Sequence, residues 1–203
     1  MLFAAALLSA TPAIAQEAPA EAAADEVPAP LAAVETVTKI EAGGTVTMTH
    51  NIVLAAPAEE VWAAISTPEG WEGWAAPLAR WAEGEADILE TSYNPDELPG
   101  GPGAIWQQFV ARIPGRLLVF RTIKVPDDFP NGEAYKRVTS FLELEADGAR
   151  TRLRLTSTGY PGSEGGRALL GFFAKGNIVA LQALQRHLAE PVEPEPAADP
   201  PSG

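Results

Sequence analysis

The side chains with chemical potential in this sequence sit on otherwise apolar stripes. From Thr45 the residues alternate, with Val46, Met48, His50, Ile52 and Leu54 on one face and Thr45, Thr47, Thr49, Asn51 and Val53 on the other. A period of two predicts a half-buried strand and puts His50 on its apolar face. Two readings are open for that imidazole: a core histidine satisfied by its neighbours, or a cavity group that orients a ligand carbonyl or acts as general base near neutral pH. Asn177 poses the same question. It lies on the helical stripe Leu170, Phe173, Asn177, Leu181, Leu184 and Leu188, where an amide is unfavourable unless it bonds backbone or ligand. Gln107, Ser140 and Ser157 fall on candidate strands and can add donors and acceptors to one lining. His50 is thus the sole candidate for catalysis. A ligand cavity is expected to draw on it together with Gln107, Ser140 and Ser157 from the strands, and Phe173, Asn177 and Leu181 from the helix.

Other groups read as structural. Alternation sends Asp87 to the face opposite Glu90, so Glu85, Asp87 and Glu90 form no acid–base pair and resemble solvated strand-edge charge. Arg150, Arg152 and Arg154 make a basic stripe that neighbouring outward acids can neutralise. The aromatics Trp62, Trp71, Trp74, Trp81, Trp106, Phe120, Phe172 and Phe173 supply either a ligand cage or core volume.

Composition removes whole classes of function. The 203 residues contain no cysteine and two histidines, which excludes disulfide scaffolds, thiol catalysis and Cys- or multi-His metal centres. No metal or other cofactor is expected. A formal net charge of -13 argues against binding a phosphate backbone. Much of that charge is at the ends: six acids against one lysine in residues 1–43 and four acids against no base in 190–203. These Ala/Pro/Glu segments have too little branched or aromatic material to form a core.

The elements that must position the candidate residues follow from punctuation and period. Pro57 suits a first helical position and Glu59 and Glu60 the positive end of a helix, predicting a helix to about Ser66. Thr67 to Gly70 is expected to break it, with a second short turn over Trp71 to Ala75. Six strands follow, 78–82, 86–93, 104–113, 116–125, 134–145 and 150–158, joined by turn signals such as Pro114-Gly115 and Asp147-Gly148. Which face of the strand over 116–125 points inward is left open. Ser163 to Ala189 is the longest helix, and Gly171 and Gly176 within it suggest a close approach to the sheet or a void beside it. The result is an α+β fold: a curved antiparallel sheet of about seven strands wrapped on a long C-terminal helix, with two short helices after the first strand.

The segment Leu54-Ala55-Ala56-Pro57-Ala58-Glu59-Glu60-Val61-Trp62-Ala63-Ala64-Ile65 resembles the first strand and helix of the START-like, or SRPBCC, superfamily with its helix-grip fold. Thr67-Pro68-Glu69-Gly70-Trp71-Glu72-Gly73-Trp74, Pro114 to Thr122 and Gly176-Asn177 resemble the branch of polyketide cyclases and activators of the heat-shock-protein-90 ATPase. The resemblance covers about residues 45–189. It implies a cavity between sheet and long helix for an apolar or amphipathic small molecule, and it carries over no fixed catalytic motif.

Met1 to Ala15, an apolar run ending in Ala13-Ile14-Ala15, reads as a secretory signal peptide, although no Lys or Arg precedes the run. Residues 16–43 are expected to be a disordered linker, 44–190 the START-like domain and 191–203 a disordered tail. A periplasmic or secreted location disfavours the chaperone-linked role. The leading expectation is an exported domain that binds a small apolar or amphipathic molecule in a cavity larger than a few waters. A cyclase- or hydrolase-type enzyme using His50 is the rival, and a protein-interaction domain with an apolar patch near Trp71 and Trp74 a third reading. Nucleic acid and integral membrane contact are not expected, and the oligomeric state is open.

Overall fold

The computed structural model describes residues 31–189; the expected leader, the linker up to residue 30 and the tail lie outside them. Eight strands form one antiparallel sheet. They are β1 (Glu35–Ile40), β2 (Val46–Leu54), β3 (Leu78–Trp81), β4 (Ile88–Ser92), β5 (Ile105–Ile113), β6 (Leu117–Lys124), β7 (Thr139–Asp147) and β8 (Arg150–Tyr160). Their order is β1-β2-β8-β7-β6-β5-β4-β3. Helices α1 (Ala58–Ser66) and α2 (Pro68–Glu72) follow β2, α3 (Gly132–Tyr135) precedes β7, and α4 (Glu164–Ala189) ends the domain.

The alternation along β2 is realised: Val46, Met48, His50, Ile52 and Leu54 are all buried. Ile52 and Leu54 join Val61 and Ile65 of α1, Trp71 of α2, Leu118, Leu142 and Leu153 of the sheet, and Leu181 and Leu184 of α4, while Val46 and Met48 pack with Val138, Tyr160 and Leu169 in a second cluster. Removing such side chains from water supplies the main drive to fold. On β6 the inward set is Leu118, Phe120 and Thr122, because Phe120 meets Trp71 edge-on at 5.8 Å while Arg121 reaches outward to Gln108.

Three local expectations are corrected, and one open alternative is decided. Residues 35–40, expected within a disordered linker, form β1, since the β-branched run Thr36-Val37-Thr38 suits an extended strand beside β2. Thr67 ends α1 as expected, but it also begins α2, which runs over Pro68–Glu72 rather than Trp71 to Ala75: its hydroxyl accepts from Gly70 N at 3.1 Å, and Pro68 sits where its missing N–H costs nothing. Ala134 and Tyr135 belong to α3, not to a strand, because Asn131 takes a left-handed turn at φ 62° and the strand starts only at Thr139. Of the two readings open for Gly171 and Gly176, close approach is the one excluded, since a Cβ at either would meet nothing within 4 Å.

Between Leu169 and Leu181 no residue of α4 is fully buried. The long helix is thus anchored near its ends and only half-covered along its middle.

Candidate functional site

The inner faces of β6, β7 and β8 converge with α3 and the middle of α4. The space between them is a cavity of about 60 Å³ lined by Phe120, Tyr135, Val138, Ser140, Leu155, Ser157, Tyr160, Phe173 and Asn177. Cross-strand register places Ser140 opposite Ser157, and their hydroxyl oxygens lie 3.0 Å apart. Tyr160 enters the same lining through a break in alternation. Gly159 has φ +94°, an extra residue in β8 relative to β2, so that Tyr160 follows Ser157 on the buried face. Burial pushes the Tyr160 phenol well above its ordinary range, partly offset by the neighbouring Ser157 hydroxyl. Tyr135 is half-buried but its phenol end is enclosed. That burial raises its pKa against the opposing influence of Thr122 and Gln107. Both tyrosines are therefore neutral hydrogen-bonding groups near pH 7.

Four of the expected residues, Ser140, Ser157, Phe173 and Asn177, meet in this lining. Gln107 lies beside it, buried, with Oε1 accepting from the Thr122 hydroxyl at 2.8 Å. Leu181 belongs to the core that anchors α4. His50 is fully buried but does not line the cavity; its register partner Leu155 does. Its Nδ1 is 2.9 Å from Thr36 Oγ1, and its Nε2 is the one buried side-chain polar atom among the described residues without a partner. A base needs a reacting group in reach, and among the described residues that nitrogen has no polar partner within hydrogen-bond distance. The ligand-sized cavity expected from the sequence is not found: the space between sheet and α4 is about 60 Å³, whereas small-molecule pockets span roughly 300–1,000 Å³.

Burial lowers the His50 pKa below 6.5, so the native ring stays neutral while the unfolded ring takes up a proton. Its contribution is full above about pH 6.5 and is lost as pH falls through the folded pKa. His50→Leu removes the unpartnered nitrogen and is expected to leave stability unchanged or raise it by about 1–2 kcal/mol at pH 7. It should also flatten the loss of stability just below pH 6.5. Urea melts at pH 7.5 and 5.5 measure both, and a variant destabilised equally at each pH contradicts this account.

Sequence reasoning missed Tyr135 and Tyr160. The Gly159-Tyr160 step and the Asn131-Gly132 turn signal were the local marks that pointed to them.

The other candidates are structural. Glu90 is 1% exposed on the outer side of the sheet and is saturated with donors. Arg80 Nε reaches it at 3.0 Å, Gly100 N at 2.9 Å and Trp106 Nε1 at 2.8 Å, with an Arg80 terminal nitrogen completing the ion pair. Trp71 and Trp74 form no exposed patch; their indole N–H groups donate to Ile65 O at 2.6 Å and Ala64 O at 3.0 Å. A larger trough of about 810 Å³ crosses the outer face, lined by residues including Val53, Ile113, Glu143, Glu145, Arg152 and Arg154. It is open to solvent and its charges oppose one another in register, Glu143 to Arg154 and Glu145 to Arg152. The basic stripe is thereby neutralised, and the interior cavity remains the place where polar side chains converge on apolar walls.

A sheet wrapped on a long C-terminal helix, with paired short helices after β2, defines a START-like, helix-grip domain of the SRPBCC superfamily. Residues 45–193 match the family described as polyketide cyclase / dehydrase and lipid transport, and the chain belongs to that family. Solved structures with the same fold include the protein XoxI from Bacillus cereus, at 17% identity and TM-score 0.56, covering 71% of this chain and 96% of that one. CalU16 from Micromonospora echinospora is 19% identical with a TM-score of 0.54, covering 83% and 88%. Norcoclaurine synthase from Thalictrum flavum, solved with dopamine and hydroxybenzaldehyde, is 15% identical with a TM-score of 0.50, covering 78% and 91%. No curated protein matches the chain.

Proposed function

We propose that the domain binds one small apolar or amphipathic molecule between β6–β8 and α4, oriented by a polar group at its inner end. The observation that carries this reading is the convergence of Ser140, Ser157, Tyr160 and Asn177 on walls made by Phe120, Val138, Leu155 and Phe173. Few oriented polar groups on apolar walls are how small-molecule sites combine affinity with specificity. The family's description, which includes lipid transport, agrees with it.

A ligand enters only if the 60 Å³ space enlarges. The stretch of α4 without a fully buried residue is the wall that yields most cheaply, because outward movement there breaks the fewest core contacts. The aromatic rings at that end, Tyr135 on Phe173 at 4.6 Å and Phe129 on Phe172 at 6.0 Å, form the door.

Native mass spectrometry of protein purified from its own host is expected to reveal a bound small molecule. Titration with 1-anilinonaphthalene-8-sulfonate should shift the amide signals of Ser157 and Asn177. Absence of both results sinks the proposal. Among the described residues the Asn177 side-chain amide makes no hydrogen bond, so Asn177→Leu should keep stability within about 1–2 kcal/mol of the parent while weakening binding. A loss of about 2 kcal/mol or more with unchanged binding makes Asn177 a structural group instead.

The leader-like Met1 to Ala15 supports export, so that binding takes place in the periplasm or outside the cell. Mature protein from fractionated cells should begin near Gln16. A cytoplasmic product retaining Met1 overturns this part.

A further inference from the structure

Strand β1 lies before the region shared with the family, which begins at residue 45. It is the outermost strand at one end of the sheet, so among the described residues one whole edge of its backbone has no strand beside it. Every residue of β1 is exposed, with Val37 at 60% and Ile40 at 75%. Natural edges are often blunted by proline, a bulge or charged side chains; β1 has no proline and no bulge, and its two charges, Glu35 and Lys39, are of opposite sign.

Its residues are also self-complementary. Read antiparallel against itself about Val37, the run Val34-Glu35-Thr36-Val37-Thr38-Lys39-Ile40 sets Glu35 against Lys39, Thr36 against Thr38, Val34 against Ile40 and Val37 against Val37. Each pairing is of a kind that stabilises adjacent antiparallel strands. We infer that β1 pairs antiparallel with β1 of a second copy, about a twofold axis through Val37, giving one continuous sheet across both copies.

The outer face supports the same register. Val37 stands opposite Thr49, which stands opposite Thr156, then Phe141, then Val119. The pairing extends this weakly polar row across the axis from Val37 to its symmetry mate. Pairing Lys39 across the axis disturbs the exposed Lys39–Glu41 pair at 2.8 Å, of a class that contributes little. Thr36 keeps its contact with His50, because that bond lies on the inner face of the strand.

Sedimentation of the full chain over a concentration series is expected to show a reversible dimer. Lys39→Glu should raise its dissociation constant about tenfold by placing like charges opposite each other at two symmetric sites, and adding Glu35→Lys should restore it. The chain has no cysteine of its own, so Val37→Cys creates a single thiol at the axis. Directly opposed residues of antiparallel strands are about 4.5–5.5 Å apart at Cα, within disulfide reach. Mild oxidation should link Val37→Cys far faster than Val110→Cys, an exposed control on β5. The inference is overturned by a chain that stays monomeric up to about 1 mM, by equal linking rates for the two thiols, or by a dimer indifferent to both charge reversals.

Discussion

Glu90→Ala is expected to cost about 3 kcal/mol of folding stability, because it strips a buried ion pair of one partner and leaves the Arg80 charge and the Gly100 and Trp106 N–H donors unsatisfied. The Glu90 carboxylate gathers Arg80 from β3, Trp106 from β5 and Gly100 from the loop after β4. Lys124 of β6 closes the same loop by donating to Gly100 O at 3.1 Å. The cost should fall short of the largest known values, since Arg80 keeps 28% of its side chain in solvent and can rehydrate. Burial pushes the carboxyl up, but the bonds from Arg80, Gly100 and Trp106 outweigh it and hold the pKa below 4.5. A carboxyl held low stabilises the fold above about pH 4.5, and that stabilisation is lost as pH falls through the folded value. The parent should therefore lose stability below pH 4.5 more steeply than Glu90→Ala. Chemical denaturation followed by tryptophan fluorescence at pH 7 and pH 4 measures both quantities; a cost under about 1 kcal/mol at pH 7 refutes the network's role.

Gly159→Val should be nearly as damaging, at about 3 kcal/mol, and should abolish ligand binding as well. A side chain at φ +94° is strained wherever it points, and a Cβ here would lie 2.6 Å from Arg137 O. Relief requires β8 to shift against the segment before β7, which drags Tyr160 out of the cavity lining. Gly159→Ala meets the same backbone oxygen, whereas the same change at Gly176, where the space is open, should raise stability slightly by favouring helix. Thermal melts of the three variants separate the effects. Equal melting temperatures for the parent and Gly159→Val contradict the assignment.

Legibility tracked the range of the interactions involved. The faces of β2 and β8 could be read directly, since strict alternation reports which side meets a core. The anchors of α4 followed from the spacing of Leu181 and Leu184, and the wet stripe of arginines from their opposition to acids on the neighbouring strand. Reading failed where a distant partner decides the outcome. Glu90 has the sequence context of a solvated edge charge, and only the return of the Gly100 backbone over it makes it a buried hub. His50 was recognised as inward, but its partner Thr36 lies on a strand whose Ala/Pro/Glu surroundings suggested no structure. Tyr135 and Tyr160 depend on a left-handed Asn131 and a positive-φ Gly159, features that alternation alone misplaces.

The neighbour relation between β2 and β8 sets how this chain must fold. Thr49 and Thr156 lie side by side although 107 positions separate them, so closing the sheet means closing a very long loop. Such non-local pairing slows folding compared with hairpin-by-hairpin assembly. During synthesis the hairpins from β3 to β7 are able to form early, while β2 waits with its apolar face uncovered until β8 has left the ribosome. A nascent chain stopped before residue 150 would hold β2 paired with β1 on one side only, its other edge open, a state from which aggregation begins or a holding chaperone is engaged.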